Sequence, residues 1–396
     1  MKLDRSVLRS RVAEVEKLVA DEGLAALMVY ATGSALGPSS RTHGYMRYLC
    51  DWDSHHAPSV LILRPGSAPT LLVPNIFMVF LANQYFWIED VRFVKVPDFA
   101  REAVSMLTQS GLARARIGLV GRNEMPTPVW EGLKDHLPHV DWKDFTPALD
   151  ARRVVKDPLQ IAMHACAAEI CDEMFATLGR EIRAPKPAYQ LQADMERTAR
   201  YAGCECCMTW LTVMPKADYS RFFKEECSRV PQAGDQVFAG IYIIYEGHWG
   251  HAIRGGTFGT PTDTHRHLFD IALEMEDAML ALLRPGTDLN ELQSVAEKIV
   301  FKHYPRADEE KVFRFRHGHG LGLSYEDPIS STPFPQLYDA PPKERVPVEA
   351  QAGMLFEFHP NLFVPGVGGA VIGDMVTVTA DGPRILNQFP RELITW

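Results

Sequence analysis

Apolar positions in the first 23 residues recur at helical spacing: Val7, Leu8, Val12, Val15, Leu18 and Val19, closing near Gly23. The pattern predicts a helix over 5–23. A short apolar run, Leu24–Tyr30, then reads as a buried strand. Ser59–Leu63 and Thr70–Val73 flank Pro65-Gly66, a turn signal, and read as a hairpin. Arg116–Val120 reads as another strand and Val129–Leu137 as a helix. The mixture predicts an α/β domain over 1–155.

The pattern changes at Asp157-Pro158, an N-cap followed by proline at the first helical position. A long helix is predicted from there through Leu159, Ile161, Ala165 and Met174, and a second from about Ala188 to Gly203. Gln236–Ile244 is strand-like and Glu246-Gly247 marks a turn. His265–Arg284 and Asp288–His303 read as helices, the second capped by Asp288. Six prolines between Pro328 and Pro347 discourage any regular element there. Strands return at Met354–Phe358, Asn361–Val364 and Val371–Val378. These elements predict an α+β domain over 156–396.

Composition narrows the function classes. The chain has 396 residues and a net charge of −9, which argues against a general nucleic-acid or anionic-membrane surface. No apolar run reaches the roughly 18 residues needed to span a bilayer. The opening helix has the charged, amphipathic pattern that secretory leaders lack, and the seven cysteines are an odd number. A reduced, cytoplasmic protein is therefore expected. Cys204, Cys206 and Cys207 lack a second cysteine pair at zinc-finger spacing and read as packing residues.

Several blocks resemble the creatinase and aminopeptidase P group, whose fold is called pita-bread. In the N-terminal domain these are the opening helix, the strand LAALMVY, the segment Tyr48-Leu49-Cys50-Asp51 and the strand Ala115–Val120. The linker LDARRVVKDPLQIAMHACAAE follows. The more specific blocks are Gly234-Asp235 with Arg254, His319-Gly320-Leu321-Gly322-Leu323 with Pro328, and Gly353-Met354-Leu355-Phe356 with Pro360. The resemblance implies an α/β N-terminal domain followed by a pita-bread catalytic domain. It also implies a homodimer in which the N-terminal domain of one subunit covers its partner's site.

The group's peptidases hold two metal ions with two Asp, one His and two Glu. Carried over position by position, the resemblance puts these ligands on Gly240, His251, His319, His359 and Gly373. All four carboxylates are then missing, and the two glycines fall where the second metal would depend on its ligands. Three histidines remain around one metal position. Neutral imidazoles suit Fe2+ or Zn2+ first, with Mn2+, Cu2+ and Ni2+ also admitted, and three protein ligands leave a position open for chemistry. The competing reading is drift to three packed, hydrogen-bonded histidines. Drift gives Asn, Ser, Ala or Gln more often than three histidines at converging positions.

Other candidates surround these three. Glu357 precedes His359 by two on a strand and shares its face, so it is a candidate ligand, base or supporting carboxylate. Glu326 stands where the peptidases use a second His, and Tyr325 is its neighbour. Arg254 matches the group's Arg and reads first as structural, though it could pair with an anionic substrate. Trp249 and His317 share the strand parity of His251 and His319 and are expected to line the pocket, while Trp52, His55 and His56 lie where a partner's site would be covered. The resemblance puts the two substrate-binding Glu of metal-free creatinase on Ile253 and His359, and its acid/base His within Tyr219–Phe223, which holds no His.

The expected function is a non-peptidase enzyme acting on a small, anionic molecule at one metal, by C–N hydrolysis or a lyase step. An oxygenase on a three-His iron site, a metal-free creatinase-type hydrolase and a non-catalytic binding protein are the alternatives.

Overall fold

The computed structural model describes residues 4–218, 228–328 and 347–396. The proline-rich stretch at 329–346 and the Tyr219–Phe223 segment lie outside the described residues. By its contacts the chain divides into two units, Met1–Arg153 with Leu323–Tyr325, and Val154–Gly322 with Glu326–Trp396.

The first unit runs α1 (Arg5–Asp21), β1 (Ala26–Ala31), α2 (His43–Cys50), β2 (Ser59–Leu63), β3 (Thr70–Val73), α3 (Ile76–Tyr85), β4 (Asp90–Phe93), α4 (Phe99–Gln109), β5 (Arg116–Val120), α5 (Thr127–His136), β6 (Asp141–Asp144) and α6 (Thr146–Arg153). Asp4 caps α1 by accepting from the Ser6 amide. The six strands form one mixed sheet ordered β4-β3-β2-β1-β5-β6. Alternate residues of its central strands enter different cores. Leu27, Val29, Leu61 and Leu71 pack with α1, α2 and α3, while Met28, Tyr30, Val60 and Leu72 pack with α4 and α5. Both faces are covered, so these strands read as continuous apolar runs. Pattern reading misses α3 because its apolar residues have no helical period; every face of IFMVFLANQY is uncharged.

The second unit runs α7 (Pro158–Glu181), α8 (Ala188–Tyr201), β7 (Cys206–Met214), β8 (Gln236–Tyr245), β9 (His248–Thr257), α9 (Asp263–Leu282), α10 (Asn290–His303), β10 (Gly318–Gly320), β11 (Leu355–Phe358), β12 (Asn361–Val364), β13 (Gly368–Thr379), β14 (Gly382–Ile385) and β15 (Ile394–Thr395). Asp157 and Gln160 make the capping box that starts α7. The sheet path is β10-β11-β13-β9-β8-β7, with β12 and β14 on β13 and β15 on β9. Helices α7 and α8 pack on β7, β8 and β9, and α9 and α10 pack on β11 and β13. The three cysteines expected as packing residues lead into β7; Cys204 is buried and Cys206 and Cys207 half-buried.

The hairpin β8–β9 sets the position of the later chemistry. Glu246 and Gly247 both have positive φ (46° and 76°), as a two-residue type I′ turn requires. That turn fixes the register at Tyr245↔His248, and hence Tyr242↔His251 and Gly240↔Ile253.

Candidate metal centre

Three strands of one sheet and one strand end bring the site together, with β13 lying between β11 and β9. His251 is on β9, His319 on β10, Glu357 on β11, and His359 follows β11. Along β11 the side chains alternate: Phe356 and Phe358 enter the core under α9 and α10, which leaves Glu357 on the other face. The β10–β11 register sets His319 directly opposite Glu357.

The Glu357 carboxylate lies among three imidazoles. Its Oε2 is 3.4 Å from His251 Nδ1, 3.6 Å from His319 Nε2 and 3.5 Å from His359 Nε2. His251, His319 and Glu357 each offer a donor atom, and these atoms lie within 4.8 Å of one another. All three side chains are at most 1% exposed, and His359 is 7% exposed. His319 Nδ1–H donates to the Gly320 carbonyl at 2.8 Å, which makes Nε2 the basic nitrogen on the Glu357 side. His359 is held through its backbone: its amide donates to the His317 carbonyl, and its own carbonyl accepts from Asn361 Nδ2.

Both oxygens of Glu357 and Nε2 of His359 are buried without a hydrogen-bond partner among the described residues. Buried polar atoms of this kind call for a ligand. Burial, then the negative charges of Glu276 and Asp374, push the Glu357 carboxyl well above the ordinary range. Burial and the neighbouring imidazoles push His251 and His359 well below theirs. Burial therefore favours the neutral forms of His251, His359 and Glu357, and two imidazoles with one carboxyl group make a donor set suited to one divalent transition metal.

Among the described residues one group of donor atoms converges in this way. Positions 240 and 373 are glycine, and neither has room for a side chain. A Cβ on Gly373 would stand 2.5 Å from Glu357 Oε1, so the carboxylate of residue 357 fills the space above that glycine. A Cβ on Gly240 would stand 1.9 Å from the indole nitrogen of Trp210. Gly373→Ala is expected to displace the flexible end of Glu357 and lower affinity for a divalent metal about 10- to 100-fold. A metal titration beside a far-UV spectrum checks this; unchanged affinity in a folded variant would refute the dependence on Gly373.

Other candidate residues lie outside this cluster or are held by other partners. Arg254 is not available to a substrate. Its five N–H groups donate to the carbonyls of Ile253, Gly373, Phe389 and Pro390 and to Asp374 Oδ1, so it is a fully committed structural cation. His317 does not line the pocket as expected, because its Nε2 is bonded to Glu297 at 2.9 Å, a carboxylate also held by Arg314. Glu326 is ion-paired with Arg316, so its carboxylate is already committed. Tyr325 is half-buried and groups by its contacts with the first unit. Trp52 is part of that unit's core, its indole N–H bonded to Ser59 and its ring edge-on to Phe86. His55 and His56 are exposed beside it in sequence. Trp249 is buried, and the aromatic ring that stacks on His251 is Tyr242, at 4.4 Å between centroids and 19° between planes. Tyr242 was readable in principle: a two-residue turn at Glu246-Gly247 sets it opposite His251.

Comparison with known proteins agrees with this architecture. A model of metallopeptidase family M24 matches residues 162–380, and one of the creatinase/prolidase N-terminal domain matches 11–155. The chain is 24% identical over 334 residues to a Xaa-Pro dipeptidase of Pyrococcus horikoshii, covering 84% of this chain and 88% of that one. An uncharacterized peptidase of Staphylococcus saprophyticus is 30% identical over 158 residues, 39% of this chain and 40% of its own. The crystal structure of the Pyrococcus horikoshii prolidase superposes with a TM-score of 0.78 at 20% identity, covering 97% of this chain and all of that one. That of an X-Pro aminopeptidase from Thermotoga maritima gives 0.80 at 20% identity, covering 98% and 99%. At these identities the solved structures establish the fold: an α/β N-terminal domain with a mixed sheet, and a pita-bread domain after it.

Proposed function

Because the chain belongs to metallopeptidase family M24 and carries that family's creatinase/prolidase N-terminal domain, we propose that it is a metalloenzyme working with a single divalent transition metal. His251, His319 and Glu357 would hold the ion, with His359 beside it. The substrate is a small, anionic molecule rather than the Xaa-Pro peptides named for its relatives, and the reaction is C–N hydrolysis or a lyase step. The observation that supports this most is the convergence of three buried donor side chains within 4.8 Å.

Bound there, the ion would act as a Lewis acid and lower the pKa of water. The protein's own groups account for the rest. Burial keeps His359 neutral, so its Nε2 can take a proton from water or from substrate. Tyr242 stacks on His251 and fixes that ring's plane. With a dication bound, Glu357 would serve as a carboxylate ligand, and the net positive charge left in the centre would favour an anionic substrate.

The same donor set, two His and one carboxylate, is the one used by non-haem iron oxygenases, and it keeps an oxygenase as the second reading. Fe2+ or Zn2+ fits the set best.

Elemental analysis tests the proposal. Purified protein should carry about one transition metal ion per chain, and His319→Ala and Glu357→Ala less than about a tenth of that. The loaded enzyme should leave a panel of Xaa-Pro dipeptides intact. A wild-type protein that takes up no metal, or that cleaves those dipeptides, would sink the proposal. Substrate-dependent uptake of dioxygen would move the assignment to the second reading.

A further inference from the structure

Strand β10 is only Gly318-His319-Gly320, so neither neighbour of His319 has a side chain to anchor it. The residue before the strand supplies the anchor. His317 is fully buried, and helix α10 holds it at two points. Gln293 and Glu297, four residues apart, share one face of that helix. Gln293 Oε1 accepts the His317 backbone N–H at 2.9 Å, and Glu297 Oε1 accepts from His317 Nε2, also at 2.9 Å. Glu297 is itself fixed: Arg314 donates from Nε to both of its oxygens at 3.0 Å and from Nη2 to Oε2 at 2.8 Å. Burial opposes its charge, yet the hydrogen bonds from His317 and then Arg314 bring the carboxyl down to about 2. An ionised carboxylate only accepts, so the proton of this contact sits on the imidazole.

The same segment also holds His359. The His317 carbonyl accepts the His359 amide at 3.0 Å. The Phe315 amide donates to Asn361 Oδ1 at 2.7 Å, and Asn361 Nδ2 donates to the His359 carbonyl at 2.8 Å. Residues 315–317 and 359–361 are thereby tied at two places. His319 lies two residues beyond the point that α10 grips, and His359 lies one hydrogen bond from it. We propose, on the single-metal reading above, that Gln293, Glu297 and His317 form a clamp that positions the metal centre: α10 grips His317 and so sets where His319 and His359 stand against Glu357. His317 is a positioning residue in this arrangement and neither binds the ion nor carries a proton for the reaction. Donor atoms need such support, because a metal site loses affinity when its ligands are left to wander by half an ångström or so.

His317→Leu tests this, because it cuts the clamp and leaves the Glu297–Arg314 pair whole. In a Co2+ titration of the full chain this variant should bind at least about tenfold more weakly than wild type. His317→Gln keeps an N–H to offer Glu297 and should stay within about threefold of wild type, with the same visible Co2+ absorption bands. Gln293→Met should also weaken binding, and the double variant His317→Leu with Gln293→Met should lose less than the product of the two single losses, since both cut one linkage. In metal-free protein the His359 amide should exchange with solvent at least about tenfold faster in His317→Leu than in wild type. Wild-type affinity in His317→Leu would overturn the proposal. So would a loss in His317→Gln equal to that in His317→Leu, which would make the imidazole itself a ligand or proton carrier. A wild type that takes up no Co2+ defeats the single-metal reading instead, and the clamp then stands or falls on the exchange at His359.

Discussion

Replacing Arg254 with alanine is expected to lower the unfolding free energy by about 3–5 kcal/mol, the usual result of removing one partner from a buried charge pair. Arg254 is fully buried, and its guanidinium gathers four carbonyls and Asp374 from β9, β13 and the chain just before β15. Without it those acceptors lose their donor together. The surrounding charges worsen the outcome: Glu276, Asp374 and Arg391 form one buried network, in which burial and then the charge of Asp374 push the Glu276 carboxyl up to about 8. Among the described residues Arg391 then remains paired with both carboxylates. Chemical denaturation of the metal-free protein measures the loss. In a thermal melt of the same protein, the midpoint should fall by about 10 °C for a unit of this size. Arg254→Lys should fall between the two, because one ammonium cannot serve five acceptors. A change below about 1 kcal/mol would show that the network is dispensable.

The second large effect concerns the carboxylate that the resemblance places at residue 240. Gly240→Asp should fail to create a second metal site and should destabilise the chain by more than about 3 kcal/mol, because it overfills a packed interior and buries a charge. The obstacle is Trp210, which sits across the strand pair from Gly240 with its ring over that position. Trp210 is 4% exposed and rigid, so it cannot swing aside as a glutamate end can. Trp210→Ala should relieve the clash, and the double variant should be more stable than the sum of the two single changes predicts. Additivity in this cycle would show that the indole does not guard the position.

Much of the fold was legible because its signals are local. The cap at Asp157, the turn at Pro65-Gly66 and the apolar runs of β1 and β5 act within a few residues. Helix α3 was not, since a helix apolar on every side has no period to read. Part of the centre was legible too: the resemblance placed His251, His319 and His359 together, and strand parity turned Glu357 toward His359. Parity failed for His317, which lies outside the regular pairing of β10 and is drawn to Glu297 of α10.

The sequence by itself determined two domains, the order of their main elements, and three histidines with one glutamate at converging positions. The domains and elements follow from spacing along the chain, and the converging positions follow from the resemblance, with strand parity adding Glu357. Only the tertiary structure decided that Glu357 stands among the imidazoles, that Gly373 makes room for it, that Trp210 closes the space over Gly240, and that Arg254 is saturated by its own chain. Each of these depends on which atoms of distant strands compete for the same few cubic ångströms. Close packing settles that competition, and residue type and spacing do not carry it.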